Sequence, residues 1–346
     1  MKTEKSKITF IVNPITGTHK KDDMPALIER TIDPERFSTD IIFTEYAGHA
    51  AELTRRLADQ GTDIVCAVGG DGTVNEVARS LLHTDTALAI VPCGSGNGLA
   101  RHLCLPMDIR RSLEIINHCK IEAFDYGLIN NLPFFCTCGM GFDAFISLKF
   151  AEAGKRGPIT YVENVLKEGL KYKPETYEVA DDTGTHRYKA FLIACANASQ
   201  YGNNAYIAPG ATMKDGEMDI IIMEPFDALE APQIAADLFM KTLTNNSKIK
   251  TFRAKNIHIH RDHPGAIHYD GDPIMTDADI DVKIEHLGIN IVTNPEVIED
   301  NSQPNPVLNA FSDLFNNINN VREDITKGRR KVQAINKLML RKLSKI

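Results

Sequence analysis

The sequence predicts an α/β domain built on a parallel sheet, followed by a β-rich antiparallel sandwich and a helical C-terminal tail. Three observations carry that prediction. Up to about residue 124, apolar β-branched runs alternate with segments of helical period, the pattern of a parallel sheet covered by helices. Beyond it, short β-rich runs are separated by turn residues, the pattern of an antiparallel sandwich. After Asn301-Ser302-Gln303-Pro304-Asn305-Pro306, a linker in composition, the chain turns helical and basic. The predicted units are 1–124, 125–296 and 297–346, with no internal repeat and no low-complexity tract.

Lys7 to Val12 is a buried strand closed by Asn13-Pro14, and a polar loop through Gly17 follows. Asp23 with Pro25 just beyond it predicts a helix start, running to about Arg30. Asp40 to Thr44 is a second strand. Residues 48–60 form a helix with Leu53 and Leu57 on one face and Gly61 as its stop. Asp63 to Val68 and Ala87 to Val91 are the third and fourth strands, each ending in a glycine-rich turn, and Asp108 caps a helix to about Cys119. In the second unit, strands are predicted at Tyr177–Ala180, Tyr188–Ala196, Met218–Met223, Ile249–Ile259, Ile280–His286 and Ile289–Val292. Helical pieces fall near 142–152, 159–170 and 228–243, and further helices over 307–346.

Composition narrows the function classes. The 346 residues, 43% of them apolar, suffice for two domains with cores. A net charge of −7 argues against a broad nucleic-acid surface. Eight of the 39 Lys and Arg lie between Lys327 and Ile346 with no acid among them, leaving 31 basic against 46 acidic groups elsewhere, a formal −15. No signal-peptide core and no run of membrane-spanning length is present in the sequence, which predicts a cytoplasmic chain. Seven cysteines, an odd number without a CxxC pair, predict reduced thiols. Cys136-Thr137-Cys138 has no matching second pair for a metal.

The chemistry concentrates at the two strand-to-helix turns. In Ala67-Val68-Gly69-Gly70-Asp71-Gly72-Thr73-Val74-Asn75-Glu76, glycines after a strand let the backbone approach a ligand, and the helix that follows aims free N–H groups at one point, which suits phosphate. Asp71 would repel a bare phosphate, so a divalent cation between them makes the best sense. The second turn is Cys93-Gly94-Ser95-Gly96-Asn97-Gly98-Leu99-Ala100-Arg101. Both fall at the carboxyl edge of the predicted parallel sheet, where ligands of such sheets bind. There is no Walker loop, and GxGxG is not the dinucleotide fingerprint. A second-domain carboxylate facing that edge would supply the remaining need of phosphoryl transfer, a base for an alcohol.

GGDGTVNEV followed some twenty residues later by PCGSGNGLAR resembles the catalytic domain of the diacylglycerol kinase and sphingosine kinase superfamily, especially its soluble bacterial lipid kinases, over residues 7 to about 295. GGDGT alone is shared with NAD kinases, whose fold the first domain would resemble. The resemblance implies an ATP- and Mg2+-dependent kinase. It assigns ATP binding to Asn13, Pro14 and the loop to Gly17, to Thr44, to Gly69, Gly70, Asp71, Gly72 and Thr73, and to Gly94, Ser95, Gly96 and Asn97, with Asp71 acting on the magnesium of the nucleotide. It assigns a structural magnesium to Asp215, with Thr212 and Glu217 as carbonyl or side-chain ligands. It assigns the general base to Asp272, in Tyr269-Asp270-Gly271-Asp272-Pro273, where the family has Glu. Asp is shorter by about 1.5 Å of reach, and a misplacement of that order costs about a hundredfold in rate unless the backbone compensates.

Other features have plainer readings. His258, His260, His263 and His268 fit an exposed strand and loop better than a metal cluster, and Asp277, Asp279 and Asp281 a solvated strand face. Tyr201-Gly202-Asn203-Asn204 fits a turn lining the cleft, and Arg101 a partner of phosphate or of surface acids. In the tail, Val332, Ile335, Leu338, Met339, Leu343 and Ile346 share a helical face amid cations. Such a helix lies either on an anionic bilayer, giving peripheral association at the inner membrane face, or on the acidic body or a second subunit of a homodimer. The sequence thus predicts a lipid kinase acting on the hydroxyl of diacylglycerol or a sphingoid base. An NAD kinase, and a non-catalytic nucleotide- or lipid-binding module, are the alternatives.

Overall fold

The computed structural model describes residues 5–15, 23–153, 172–227 and 229–295 of the chain. Gly17, the helix expected over 159–170, the linker and the tail lie outside the described residues.

The front lobe is a parallel sheet in the order β2-β1-β3-β4, made of β1 (Ser6–Val12), β2 (Phe37–Phe43), β3 (Ile64–Gly69) and β4 (Ala87–Pro92). The period of two along β3 sends alternate side chains to opposite faces. Val65 and Ala67 meet α2 (His49–Asp59) and α3 (Asp71–Ser80) through Leu53, Leu57, Val74 and Val77. Ile64, Cys66 and Val68 meet α1 (Met24–Thr31) and α5 (Ile109–His118) through Met24, Ile28, Leu113 and Ile116. All six residues of β3 and of β4 are buried, as expected of strands covered on both faces. A short helix, α4 (Gly98–His102), follows the second glycine turn. The predicted helix signals act as read: Pro25 sits in the first turn of α1, the Asp108 side chain accepts from the Arg111 N–H at 2.9 Å, and Gly61 takes φ +74° beyond α2. β2 starts three residues before the predicted strand, because Phe37 is buried at its head.

The rear lobe is a sandwich. One layer is the antiparallel sheet β12-β11-β10-β7-β14-β15, formed by β7 (Thr137–Gly141), β10 (Leu192–Ala196), β11 (Met218–Met223), β12 (Ile249–Ala254), β14 (Gly265–Tyr269) and β15 (Asp272–Thr276). The other layer holds β5 (Lys120–Ile129), β6 (Leu132–Phe134), β8 (Glu175–Asp181), β9 (Gly184–Ala190), β13 (Asn256–Arg261) and β16 (Asp279–Thr293), and is continuous with the parallel sheet. Met140, Ile193, Cys195 and Ile220 from the first layer pack against Tyr177, Val179, Ile259 and Val282 from the second. Outside the sandwich lie α6 (Phe142–Ala153), which covers β14 and β15, and α7 (Ala231–Phe239).

Two runs expected as single strands are pairs. Tyr188–Ala196 breaks at Phe191 between β9 and β10, and Ile249–Ile259 breaks at Lys255 between β12 and β13; in each case the chain crosses from one layer to the other. Both halves bury apolar side chains, so the run carries no mark of the crossing. Conversely, Ile280–His286 and Ile289–Val292 are one strand. β16 bends at a bulge between Glu285 and Ile289, with Leu287 at φ +52°. Its first half pairs with β13, and Ile291 pairs in parallel with Leu88 of β4 in the front lobe. Buried Asp125 fastens this bend: it accepts from the Leu287 N–H at 2.8 Å and the Gly216 N–H at 2.7 Å, and His286 Nδ1 lies 2.7 Å away.

Candidate active site

The two glycine turns meet at the carboxyl edge of the front sheet, and one carboxylate joins them. Asp71 is the first residue of α3, and its Oδ2 accepts from the Asn97 N–H at 2.9 Å while Oδ1 accepts from the Gly98 N–H at 2.7 Å. Asp71 therefore caps α4, where its charge complements the positive end of the helix. The packing explains the glycines. A Cβ on Gly94 would stand 2.6 Å from Gly70 Cα, one on Gly96 2.7 Å from Asp71 Oδ2, and one on Gly69 2.6 Å from Thr73 Oγ1. Asn97 holds the left-handed backbone, φ +52°, that the second turn needs, and its side chain closes the turn on Gly94 N and O at 2.9 and 2.8 Å.

The remaining described residues assigned to ATP gather there. Asn13 Nδ2 donates to Thr73 Oγ1 at 3.0 Å, and Thr44 N–H to Val12 O at 2.9 Å, so Asn13-Pro14 and Thr44 stand at the ends of neighbouring strands. Pro14, Gly72 and Ser95 are exposed at this edge. The first amides of α3 have no acceptor within the helix and point at the same mouth. Arg101 bridges the two turns: Nε donates to Gly96 O at 3.0 Å and a terminal nitrogen lies 3.3 Å from Asn204 Oδ1. The Tyr201–Asn204 turn packs directly on the second glycine turn, with Asn203 N–H donating to Gly96 O at 3.1 Å.

The rear lobe reaches this region through the hairpin between β14 and β15. Asp270 and Gly271 are its two central residues, at φ +51° and +86°, as a tight hairpin of matching twist requires. The buried Asp270 carboxylate accepts from three amides, Phe135 at 2.8 Å, Cys136 at 2.7 Å and Thr137 at 3.1 Å; burial pushes its pKa up while these bonds pull it down. Asp272, across from Tyr269, projects to the last turn of α3, where Arg79 lies 3.3 Å from its Oδ2 and stacks over the Tyr269 ring at 4.6 Å.

His268 departs from expectation: it is buried, with Nε2 3.0 Å from Asp143 Oδ2, and Tyr201 Oη donates to the same oxygen at 3.3 Å. On β13, exposed His258 lies against Asp281 at 2.8 Å and half-buried His260 against Asp279 at 2.7 Å. Among the described residues no three His, Cys, Asp or Glu side chains converge on a metal position. The seven cysteines are free, Cys66, Cys138 and Cys195 of them buried. Asp215 and Glu217, assigned to a structural magnesium, both engage the Arg253 guanidinium, and Thr212 is exposed. Sequence reasoning missed Arg79, Asp125, Asp143 and Asp270. The Asp-Gly pair flanked by β-forming residues signals the hairpin and hence Asp270; the others have no local signature.

Comparison with known proteins decides the family. Residues 7–129 match the diacylglycerol kinase catalytic domain, and residues 137–289 match the YegS C-terminal NAD kinase beta sandwich-like domain. The chain belongs to the diacylglycerol kinase family of lipid kinases. It is a kinase by that membership. The diacylglycerol kinase of Mycobacterium tuberculosis is 27% identical over 284 residues, covering 78% of this chain and 89% of that protein. The diacylglycerol kinase of Bacillus subtilis is 22% identical over 268 residues, covering 76% and 88%. Among solved structures, a diacylglycerol kinase from Bacillus anthracis superposes with a TM-score of 0.68 at 22% identity, covering 86% of this chain and all of that one. An NAD kinase from Archaeoglobus fulgidus, solved in complex with ATP, has a TM-score of 0.50 at 13% identity over 85% of this chain and 96% of its own, a likeness of fold.

Proposed function

We propose that this kinase transfers the γ-phosphoryl group of ATP to the hydroxyl of a membrane lipid, diacylglycerol or a sphingoid base. The observation that carries the reading is Asp71 locking two amide-bearing turns into one surface at the sheet edge, with a rear-lobe carboxylate, Asp272, facing the same helix. In this reading the triphosphate lies against the first amides of α3 and the Gly94–Asn97 turn, which offer donors without reorganisation. Magnesium arrives with the nucleotide. Asp71 fits it through water: each carboxylate oxygen keeps a lone pair beside its one amide bond, at a partly exposed mouth.

Asp272 takes the proton of the acceptor hydroxyl as its oxygen attacks the γ-phosphorus. The bond from that phosphorus to the β–γ bridging oxygen breaks, and ADP leaves with the electron pair. Positioning and charge stabilisation supply most of the rate in such transfers. No described helix is long and apolar enough to cross a membrane. The basic segment 327–346, outside the described residues, is proposed to hold the enzyme at an anionic surface, each cation there contributing about 1 kcal/mol.

The test is incubation of the full chain with MgATP and a lipid panel, read by mass spectrometry, beside a parallel incubation with NAD and ATP. A phospholipid product in the first and no NADP in the second is expected. NADP formation would replace this reading with the NAD kinase one, and ATP binding without any product would leave a binding module.

A further inference from the structure

The loop between Met213 and Met218 and the start of β11 concentrate acids. Asp215, Glu217 and Asp219 follow one another at alternate positions. Left alone, such a stretch needs a cation nearby, and the family resemblance places a magnesium there. The structure supplies a different one. Arg253 on β12 stands directly opposite Asp219 on β11, so the strand register itself delivers a guanidinium to this loop. One of its terminal nitrogens bonds Asp215 Oδ2, and the other lies 3.2 Å from Glu217 Oε2. The second oxygen of Asp215 accepts the Glu217 N–H at 3.1 Å. Both oxygens of the proposed ligand are thereby engaged, and one of the two donors is a fixed cation, whereas the donors on Asp71 are neutral amides.

A guanidinium suits this arrangement better than a small divalent ion. Its planar fork presents several donors and reaches two carboxylates at once. Magnesium demands near-octahedral oxygen ligands at about 2.0–2.1 Å, and an ion drawn to Asp215 would meet the fixed positive charge of Arg253 at the same carboxylate.

We infer that Arg253 is the resident cation of this loop, in the place the resemblance gives to a structural magnesium, and that the rear lobe is stable without a divalent ion. The inference stands whichever acceptor the kinase uses.

The experiment is thermal unfolding of the full chain without nucleotide, for wild type, Arg253→Gln and Arg253→Lys, in excess EDTA and in millimolar MgCl2 at matched ionic strength. Wild type is expected to melt at the same temperature in both. Arg253→Gln is expected to melt roughly 1–3 °C lower, with Arg253→Lys in between. A wild-type midpoint that climbs saturably with magnesium would overturn the inference, as would Arg253→Gln melting with wild type. If Arg253→Gln does not fold, the wild-type comparison and Arg253→Lys decide: a Lys variant as stable as wild type counts against the fork, and a magnesium-dependent wild type ends the proposal.

Discussion

Arg79 and Asp272 meet across the two lobes at 3.3 Å, 193 positions apart in the chain. Arg79 lies in the last turn of the helix that begins at Asp71, so the carboxylate proposed to face the acceptor is fastened to the helix whose first amides are proposed for phosphate. Asp272→Asn is expected to lower lipid phosphorylation by about a hundredfold or more while ATP affinity is unchanged; undiminished turnover would remove Asp272 as the base. Arg79→Met is expected to change stability by less than about 1 kcal/mol, since the Asp272 side chain is 55% exposed. It should nevertheless lower kcat with the KM for ATP preserved, read from initial rates and a thermal melt of the same sample.

Asp71 carries a double load, and its removal should show both parts. Asp71→Ala leaves the Asn97 and Gly98 amides without their acceptor, costing about 1–3 kcal/mol, and is expected to abolish turnover. Asp71→Asn keeps one acceptor oxygen and should recover part of the stability and little of the activity. Melting curves and kinase rates on both variants check the separation.

Gly94→Ala tests the contact between the turns. Its Cβ would meet Gly70 Cα at 2.6 Å, backbone against backbone, with no side chain free to give way. Loss of nucleotide binding by calorimetry is expected, whereas Gly210→Ala, where nothing lies within 4 Å, should bind normally.

Asp270→Ala strands three amides beneath the hairpin that presents Asp272. A loss of about 3 kcal/mol or more is expected, visible as a fall in denaturant midpoint.

His102 gives a pH dependence with a definite sign. Its Nδ1 accepts from the Ser199 N–H at 3.1 Å, and burial pushes its pKa down from 6.5 to about 4. The folded chain therefore binds this proton less readily than the unfolded chain. The stability held by the neutral ring is complete above pH 6.5 and is lost as pH falls towards 4. His102→Gln, whose amide oxygen can accept the same N–H, should flatten the melting temperature across that window. An unchanged slope would exclude His102 as its source.

The front lobe was legible because its signals are local. The apolar runs of β1, β3 and β4, the Asp108 cap and the two glycine turns each announce themselves within ten residues, and the family resemblance that assigns residues to ATP rests on those turns. What was illegible depends on separation in sequence. Nothing near Arg79 marks Asp272 as its partner, and nothing in Asp125 marks it as the clasp of a bend at Leu287. His268 looked like one of an exposed set because the neighbouring histidines alternate on a strand; only the arrival of α6 with Asp143 buries it.

The reach of β16 bears on how the protein is made. Residues 289–293 emerge from the ribosome long after β4, yet they lie beside it and complete the sheet that the first hundred residues begin. During synthesis the nucleotide lobe must wait with an open flank, exposing the edge of β4 until nearly the whole described chain has been made. A chain released before that strand would be prone to aggregation, and neither half should be obtainable as an independently stable fragment.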